Sequence, residues 1–386
     1  MNLRSSRLAR GVAASVLTCA LLVSLSIPSW GQQSPGLDDF IERKMIEAHV
    51  PGLAASIIKD GKVVWAKGYG FANIELNLRA TANTPFSLAS ISKTITGTAM
   101  MTLHDSGGFR LDDDINDYLW FPVENPHFPG EPISFRQVMS HSSSINDNFD
   151  VLDHLWHHKK SPYRLSYFIS EYMAPGGKWY YPDKNYMFVP PGAYYSYCDV
   201  GFALVGHLVE NVSRMPFEAY CKQAIFEPLG MKDTGWHITD FDPDTVAMPY
   251  HWISQTGRFI PYGHYGYAEW PAGTLRTSVL DLSKFLLVHM NRGSYGGVQI
   301  LSPEATAEMH RLQIPALNSE QGLAFYYWHP QGQTLLGHDG GDPGVFTDMW
   351  FRPADGVGVI LLVNGNAKYD PYYDIFFRLL READGF

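Results

Sequence analysis

"SLASISKTITG", residues Ser87–Gly97, sets one lysine among serines and threonines at the head of an apolar, helix-like run that reaches Gly107-Gly108. Two readings compete. Ser and Thr side chains cap the free N–H groups of a first helical turn, which would make the stretch a helix start and nothing more. Alternatively Ser90 is a nucleophile, and Lys93, three residues on and on the same helix face, is its base. A lysine accepts a proton only when neutral, and bringing its pKa from about 10.4 to near 7 costs roughly 4.6 kcal/mol. Burial and the positive end of a helix push that way, so the second reading requires an enclosed Lys93 with a second ionisable partner.

Outward from that stretch, "LDDFIERKMIEAH" (37–49) carries apolar residues at helical spacing. "LAASIIKDGKVVWAKGYG" reads as a hairpin around Asp60-Gly61. Residues 101–256 read as helix, loop and aromatic-rich linker, with "SFRQVMSH", "YRLSYFISEYM", "GFALVGHLVENV" and "FEAYCKQAIF" as the helical pieces. Strand signals return in "LAFYYW", "QTLLGH", "VFTDMWF" and "GVGVILLVN", followed by a helical "DIFFRLLRE". Strands at both ends with helices between predict an α/β fold: a mainly antiparallel sheet built from both chain ends, flanked by terminal helices, with a mostly helical insert. Residues 32–386 then form a single catalytic domain, 32–100 and 257–386 its α/β part and 101–256 the insert. There is no βαβ rhythm, which argues against a doubly wound parallel sheet.

The first 31 residues stand apart. Arg4, Arg7 and Arg10 precede the apolar "GVAASVLTCALLVSLSI", and Ser29 and Gly31 flank a candidate cleavage point. Some 17 apolar residues followed by Pro28 are short for a membrane span, so we expect a cleaved signal and a periplasmic or secreted protein without a stable membrane anchor. That segment holds three of the 29 Lys and Arg and none of the 39 Asp and Glu, which leaves 26 basic against 39 acidic residues, a net charge of −13. Such a balance repels phosphate backbones and argues against a nucleic-acid partner. Past the signal only Cys198 and Cys221 remain, either as one disulfide or as two buried thiols.

Other chemistries lack their residues. The chain has no G-x-S-x-G elbow, no phosphate-binding loop and no dinucleotide fingerprint. "HLWHHKK" places His154, His157 and His158 at spacings a helix could bring together, but it lacks a zincin glutamate and a third ligand segment, so it reads as a solvated histidine patch.

"PPGAYYSYCDVGFALVGHLVENVSRMPFEAYCKQAIFEPLGMKDTGW" resembles the corresponding stretch of the class C β-lactamase-related, penicillin-recognising serine hydrolases. So do "LDDDINDYL", "ISFRQVMSHSSSI", "PAGTLRTSVLDLSKFL" and "GHDGGDPGVFTDMWF", in order from about Gly52 to Asn364. The resemblance implies the serine β-lactamase and DD-peptidase fold and three motifs. Ser90-Ile91-Ser92-Lys93 matches the family's Ser-x-x-Lys, Tyr197-Cys198-Asp199 its Tyr-x-Asn, and His338-Asp339-Gly340 its third element. Catalysis would fall to Ser90, Lys93 and Tyr197, with an oxyanion hole from the N–H groups of Ser90 and Gly341. No metal or cofactor is implied.

Two departures bear on substrate. Asp199 replaces the family's asparagine, adding a negative charge that either holds Lys93 or Tyr197 charged or selects an amine. His338 replaces lysine and removes a permanent cation that would grip a carboxylate. An esterase or D-amino-acid peptidase or amidase fits better than a true β-lactamase, and the substrate is a small molecule or peptide with an ester or amide bond. The rivals are a penicillin-binding DD-peptidase or β-lactamase of the same fold, and a degenerate domain that only binds peptidoglycan. Asn146, Asp147 and Glu269 carry no assignment at this stage.

Overall fold

The computed structural model describes residues 36–386; the expected signal segment lies outside the described residues. Strands β1 (Gly52–Lys59) and β2 (Lys62–Asn73) join through Asp60 and Gly61, at φ 51° and 72°. Two central residues at positive φ give the turn whose twist matches that of its flanking strands. The short β3 (Leu78–Arg79) extends that edge. From the far end of the chain come β4 (Tyr326–Trp328), β5 (Leu335–Asp342), β6 (Val345–Arg352) and β7 (Val357–Val363). Together they make an antiparallel seven-stranded sheet in the order β4-β5-β6-β7-β1-β2-β3. The two chain ends meet where β1 pairs with β7, Leu53 opposite Val363 and Ile57 opposite Val359.

Both sheet faces are covered, which is why these strands read as nearly unbroken apolar runs. Leu53, Ala55, Ile57, Val359 and Leu361 pack against α1 (Leu37–Ala48) and α5 (Tyr369–Glu382). Each fully buried aliphatic side chain in that layer contributes roughly 1.5–3 kcal/mol. Asp38 fastens α1 to β2 by accepting hydrogen bonds from Lys67 Nζ and Tyr69 OH, both at 2.6 Å. Ala54, Ile58, Ile360 and Leu362 face the larger core, which contains α2 (Ser92–Asp105), α3 (Asp199–Ser213) and α4 (Val279–Met290).

Helix α2 is buried over most of its length although it is rich in threonine. The Thr94 and Thr98 hydroxyls donate to the carbonyls of Ile91 and Thr94, both at 2.7 Å, so the hydroxyls enter the core already paired. A Cβ on Gly97 would lie 2.5 Å from Ala324 Cβ, so only glycine allows this approach.

The histidine patch does not have the helical geometry that would bring its rings together. Asp153–Leu155 is a single 3₁₀ turn, and Trp156–His158 is a strand paired with Tyr265–Tyr267. Trp156 packs on Tyr265 and Tyr267 at 4.9 and 4.8 Å, and this tertiary pairing overrides the local spacing. Strand alternation sends His157 and His158 to opposite faces. Among the described residues no helix is long and apolar enough to cross a membrane.

Candidate active site

The turn that presents Ser90 is set by Ala89, a buried non-glycine residue at φ 48°, at a strain of roughly 1–2 kcal/mol. Ser90 sits in the 3₁₀ turn Ala89–Ile91 that leads into α2, and neither element has a side-chain N-cap. Capping is therefore not what these hydroxyls do; Ser92 Oγ accepts the Leu275 N–H at 3.2 Å instead. Strand β5 lies directly against the turn. Thr347 Oγ1 donates to Leu88 O at 2.8 Å, and a Cβ on Gly340 would fall 2.3 Å from that same oxygen and 3.0 Å from Ser90 N. Gly340 is what lets the strand come so close. Gly341, next along, borders open space.

Lys93 is 1% exposed, and its Nζ lies 3.0 Å from Ser90 Oγ, 2.9 Å from Ala272 O and 2.6 Å from Asp199 Oδ1. The Tyr197 hydroxyl hydrogen-bonds both Lys93 and Ser90. Tyr197 is 40% exposed and lines the cleft. The enclosed Lys93 has its ionisable partner in Asp199, and the sequence left open whether that partner holds it charged. Burial does lower its pKa, but the charges of Asp199 and Tyr197 outweigh burial, and the net shift is upward. Lys93 rests as an ammonium in a short ion pair. Burial likewise pushes the Tyr197 phenol up, against the pull of Lys93.

Residues outside the three motifs hold this group in place. Asp147, unassigned from sequence, accepts the N–H groups of Asp199 and Val200 at 2.8 and 2.9 Å and so caps α3 from a separate loop. His141 at φ 58° accepts the Cys198 N–H on Nδ1 at 3.0 Å and stacks on the Tyr197 ring at 4.4 Å. Burial, with Lys93 and His338 nearby, holds His141 well below the usual imidazole range. His141 stands in the "MSHSSSI" run, but nothing in its spacing marks it as a neighbour of Tyr197.

His338 is 3% exposed on β5, its Nδ1 2.5 Å from the Asp339 carbonyl. Burial pushes its pKa down to about 4, so it is neutral at pH 7. Its ring centroid lies 6.2 Å from that of Tyr197. Ser90, Tyr197, His338, Gly340 and Gly341 line one cavity of about 410 Å³. Ser90 and Gly341 also line a second hollow of about 220 Å³, with Asp199, Glu269 and Asp342. Asp342 ends the "GHDGGD" run and was missed from sequence. Burial, then Asp199, raises Asp147 to about 6 and Asp342 to about 7, and burial also takes Glu269 well above the carboxylate range. Cys198 and Cys221 are both buried free thiols, which closes the disulfide alternative. Cys198 begins α3, where its Sγ accepts the Gly201 N–H at 3.3 Å.

An antiparallel sheet made from both chain ends, with a Ser-x-x-Lys turn beneath one strand, is the architecture of the serine β-lactamases and penicillin-binding proteins. The chain belongs to the Beta-lactamase family, a family of serine hydrolases, whose model matches residues 37–380. Protein flp of Staphylococcus aureus (strain N315) is 22% identical over 341 residues, 87% of this chain, and the chain spans 64% of that relative's length. Among solved structures, the octameric penicillin-binding protein homologue from Pyrococcus abyssi is 30% identical with a TM-score of 0.70, over 89% of this chain and 76% of that one. The D-amino acid amidase from Ochrobactrum anthropi SV3, complexed with L-phenylalanine amide, shares the fold at a TM-score of 0.71 and 19% identity, over 90% of this chain and 99% of that one.

Proposed function

We propose that the protein is an exported serine hydrolase that cleaves ester or amide bonds through an acyl-enzyme on Ser90, as an esterase or D-amino-acid peptidase or amidase rather than a β-lactamase. The observation that carries this reading is the buried Lys93 Nζ, 3.0 Å from Ser90 Oγ and 2.6 Å from Asp199 Oδ1. Lys93 and Tyr197 together move the Ser90 proton as Oγ attacks the carbonyl carbon. The N–H groups of Ser90 and Gly341 hold the oxyanion. Tyr197, bonded to both Ser90 and Lys93, hands a proton to the leaving group as the acyl-enzyme forms. Water, deprotonated through the same relay, then releases the acid and restores Ser90.

Substrate preference follows from charge. A neutral His338 provides no fixed cation for a substrate carboxylate, and Asp199 adds a negative charge beside it. β-Lactams are disfavoured on both counts; neutral esters and amine-bearing amides are not. Export rests on the composition of residues 1–31.

Two measurements test the proposal. Intact mass after fluorophosphonate treatment should show one adduct on the wild type and none on Ser90→Ala; equal labelling ends the acyl-enzyme reading. The kcat/KM for p-nitrophenyl butyrate should exceed that for nitrocefin, and a preference for nitrocefin by orders of magnitude would make the protein a β-lactamase.

A further inference from the structure

The smaller hollow beside Ser90 gathers more acids than the reaction needs. Asp199, Glu269 and Asp342 line it, with Trp156 and Tyr267 among its walls, in about 220 Å³. Most of these carboxyls have work inside the protein: Asp199 Oδ1 pairs with Lys93, and Asp342 Oδ2 accepts the Tyr267 hydroxyl at 3.0 Å. Glu269 is different. It is 5% exposed, and its Oε2 has no hydrogen-bond partner. A buried carboxyl oxygen left this way costs about 1–3 kcal/mol unless something binds it.

The protein's own cations do not balance the site. Lys93 Nζ is already engaged by Ser90, Ala272, Asp199 and Tyr197. The Arg276 guanidinium, the other cation felt by Asp342, spends its N–H groups on the carbonyls of Trp236, Thr274 and Tyr265. The raised pKa values of Asp342 and Glu269 fit a hollow whose carboxyls retain protons for want of a counter-charge. Among the described residues no group of three or more His, Cys, Asp or Glu side chains could hold a metal ion. The Trp156 and Tyr267 rings, 4.8 Å apart, favour an organic cation, whose charge and apolar stem they can both accommodate.

We propose that this hollow binds a primary ammonium on the acyl part of the substrate, with Glu269, Asp342 and Asp199 as its anionic partners and Trp156 and Tyr267 as its walls. The assignment to the acyl part rests on the Ser90 hydrolase reading. Ser90 and Gly341 line both hollows, so a carbonyl held there has one end in each. The larger cavity suits the leaving group, which must depart, and the smaller one keeps the part that stays on Ser90.

The test compares the alanine p-nitroanilides, both enantiomers, with isobutyryl p-nitroanilide, which has the same shape with a methyl in place of the ammonium. The better alanine enantiomer should lead in kcat/KM by at least about 30-fold, and Glu269→Gln and Asp342→Asn should each cut that ratio at least about tenfold. A ratio taken within one variant cancels any loss of folded enzyme. Independently, calorimetry should detect n-propylammonium binding to Ser90→Ala and lose it in Ser90→Ala/Glu269→Gln. A wild-type ratio near one, ratios unchanged in both variants, or no propylammonium binding to Ser90→Ala would each overturn the subsite. Equal fluorophosphonate labelling of wild type and Ser90→Ala would instead remove the hydrolase reading, and the propylammonium titration would then decide the ammonium site alone.

Discussion

At the scale of single residues, the site turns on the replacement of the family's asparagine by Asp199. Its carboxylate, 2.6 Å from Lys93 Nζ, sets the resting charge of Lys93 and the field around Ser90. Replacing it by asparagine removes a negative charge close to where a β-lactam carboxylate would lie. One like-charge contact at this range is worth on the order of 1.4 kcal/mol, or about tenfold in rate. Asp199→Asn is therefore expected to raise the nitrocefin to p-nitrophenyl butyrate ratio in kcat/KM at least about tenfold. An unchanged ratio would show that the Asp199 charge does not shape selectivity. Ser90, Lys93 and Tyr197 were legible because Ser-x-x-Lys and Tyr-x-Asp are short local patterns. The Ala272 carbonyl and His141 were not, because a backbone oxygen and a loop imidazole acquire their roles only from what packs on them.

At the scale of elements, α3 depends on a cap supplied from elsewhere in the chain. Asp147 accepts the N–H groups of both Asp199 and Val200, at the end where the helix dipole favours a negative charge. Asp147→Ala should cost about 1–2 kcal/mol in urea unfolding, with Asp147→Asn recovering part of it through its remaining oxygen. Equal stability of Asp147→Ala and wild type would mean that water or Cys198 serves the helix end as well. The elements themselves were largely legible: the Asp60-Gly61 hairpin, the late strands and the terminal helices follow from turn chemistry and apolar patterning. The strand within "HLWHHKK" was not legible, because a three-residue strand takes its conformation from its partner, Tyr265–Tyr267, more than 100 residues away.

Across the whole molecule, buried titratable groups act in opposite directions with pH. His141, His237, His264, His289, His310 and His338 all have folded pKa values below the free imidazole value, His237 at about 3 and His264, His310 and His338 at about 4, chiefly through burial. Between about pH 4 and 6.5 the unfolded chain binds protons at these sites and the native state does not, so they add stability as pH rises through that window. Asp147, Glu269, Asp342 and Asp348 have raised folded values, so they subtract stability as pH rises above the ordinary carboxylate range. The histidines outweigh the carboxyls up to pH 6.5; above that only the carboxyls still titrate. The melting temperature should rise by several degrees from pH 4.5 to about 6.5 and then level or decline toward pH 8. A melting temperature that falls steadily from pH 4.5 would contradict this balance.

The sequence by itself determined the fold class and the family and singled out Ser90, Lys93 and Tyr197 as candidates, because periodicity, turn residues and motif spacing are local properties. Only the tertiary structure decided that Lys93 rests charged, that His338 rests neutral, and that Asp147, Glu269 and Asp342 crowd around Asp199. The reason is physical: a pKa depends on burial and on which charges lie within a few ångströms, and those neighbours come from segments far apart in the chain.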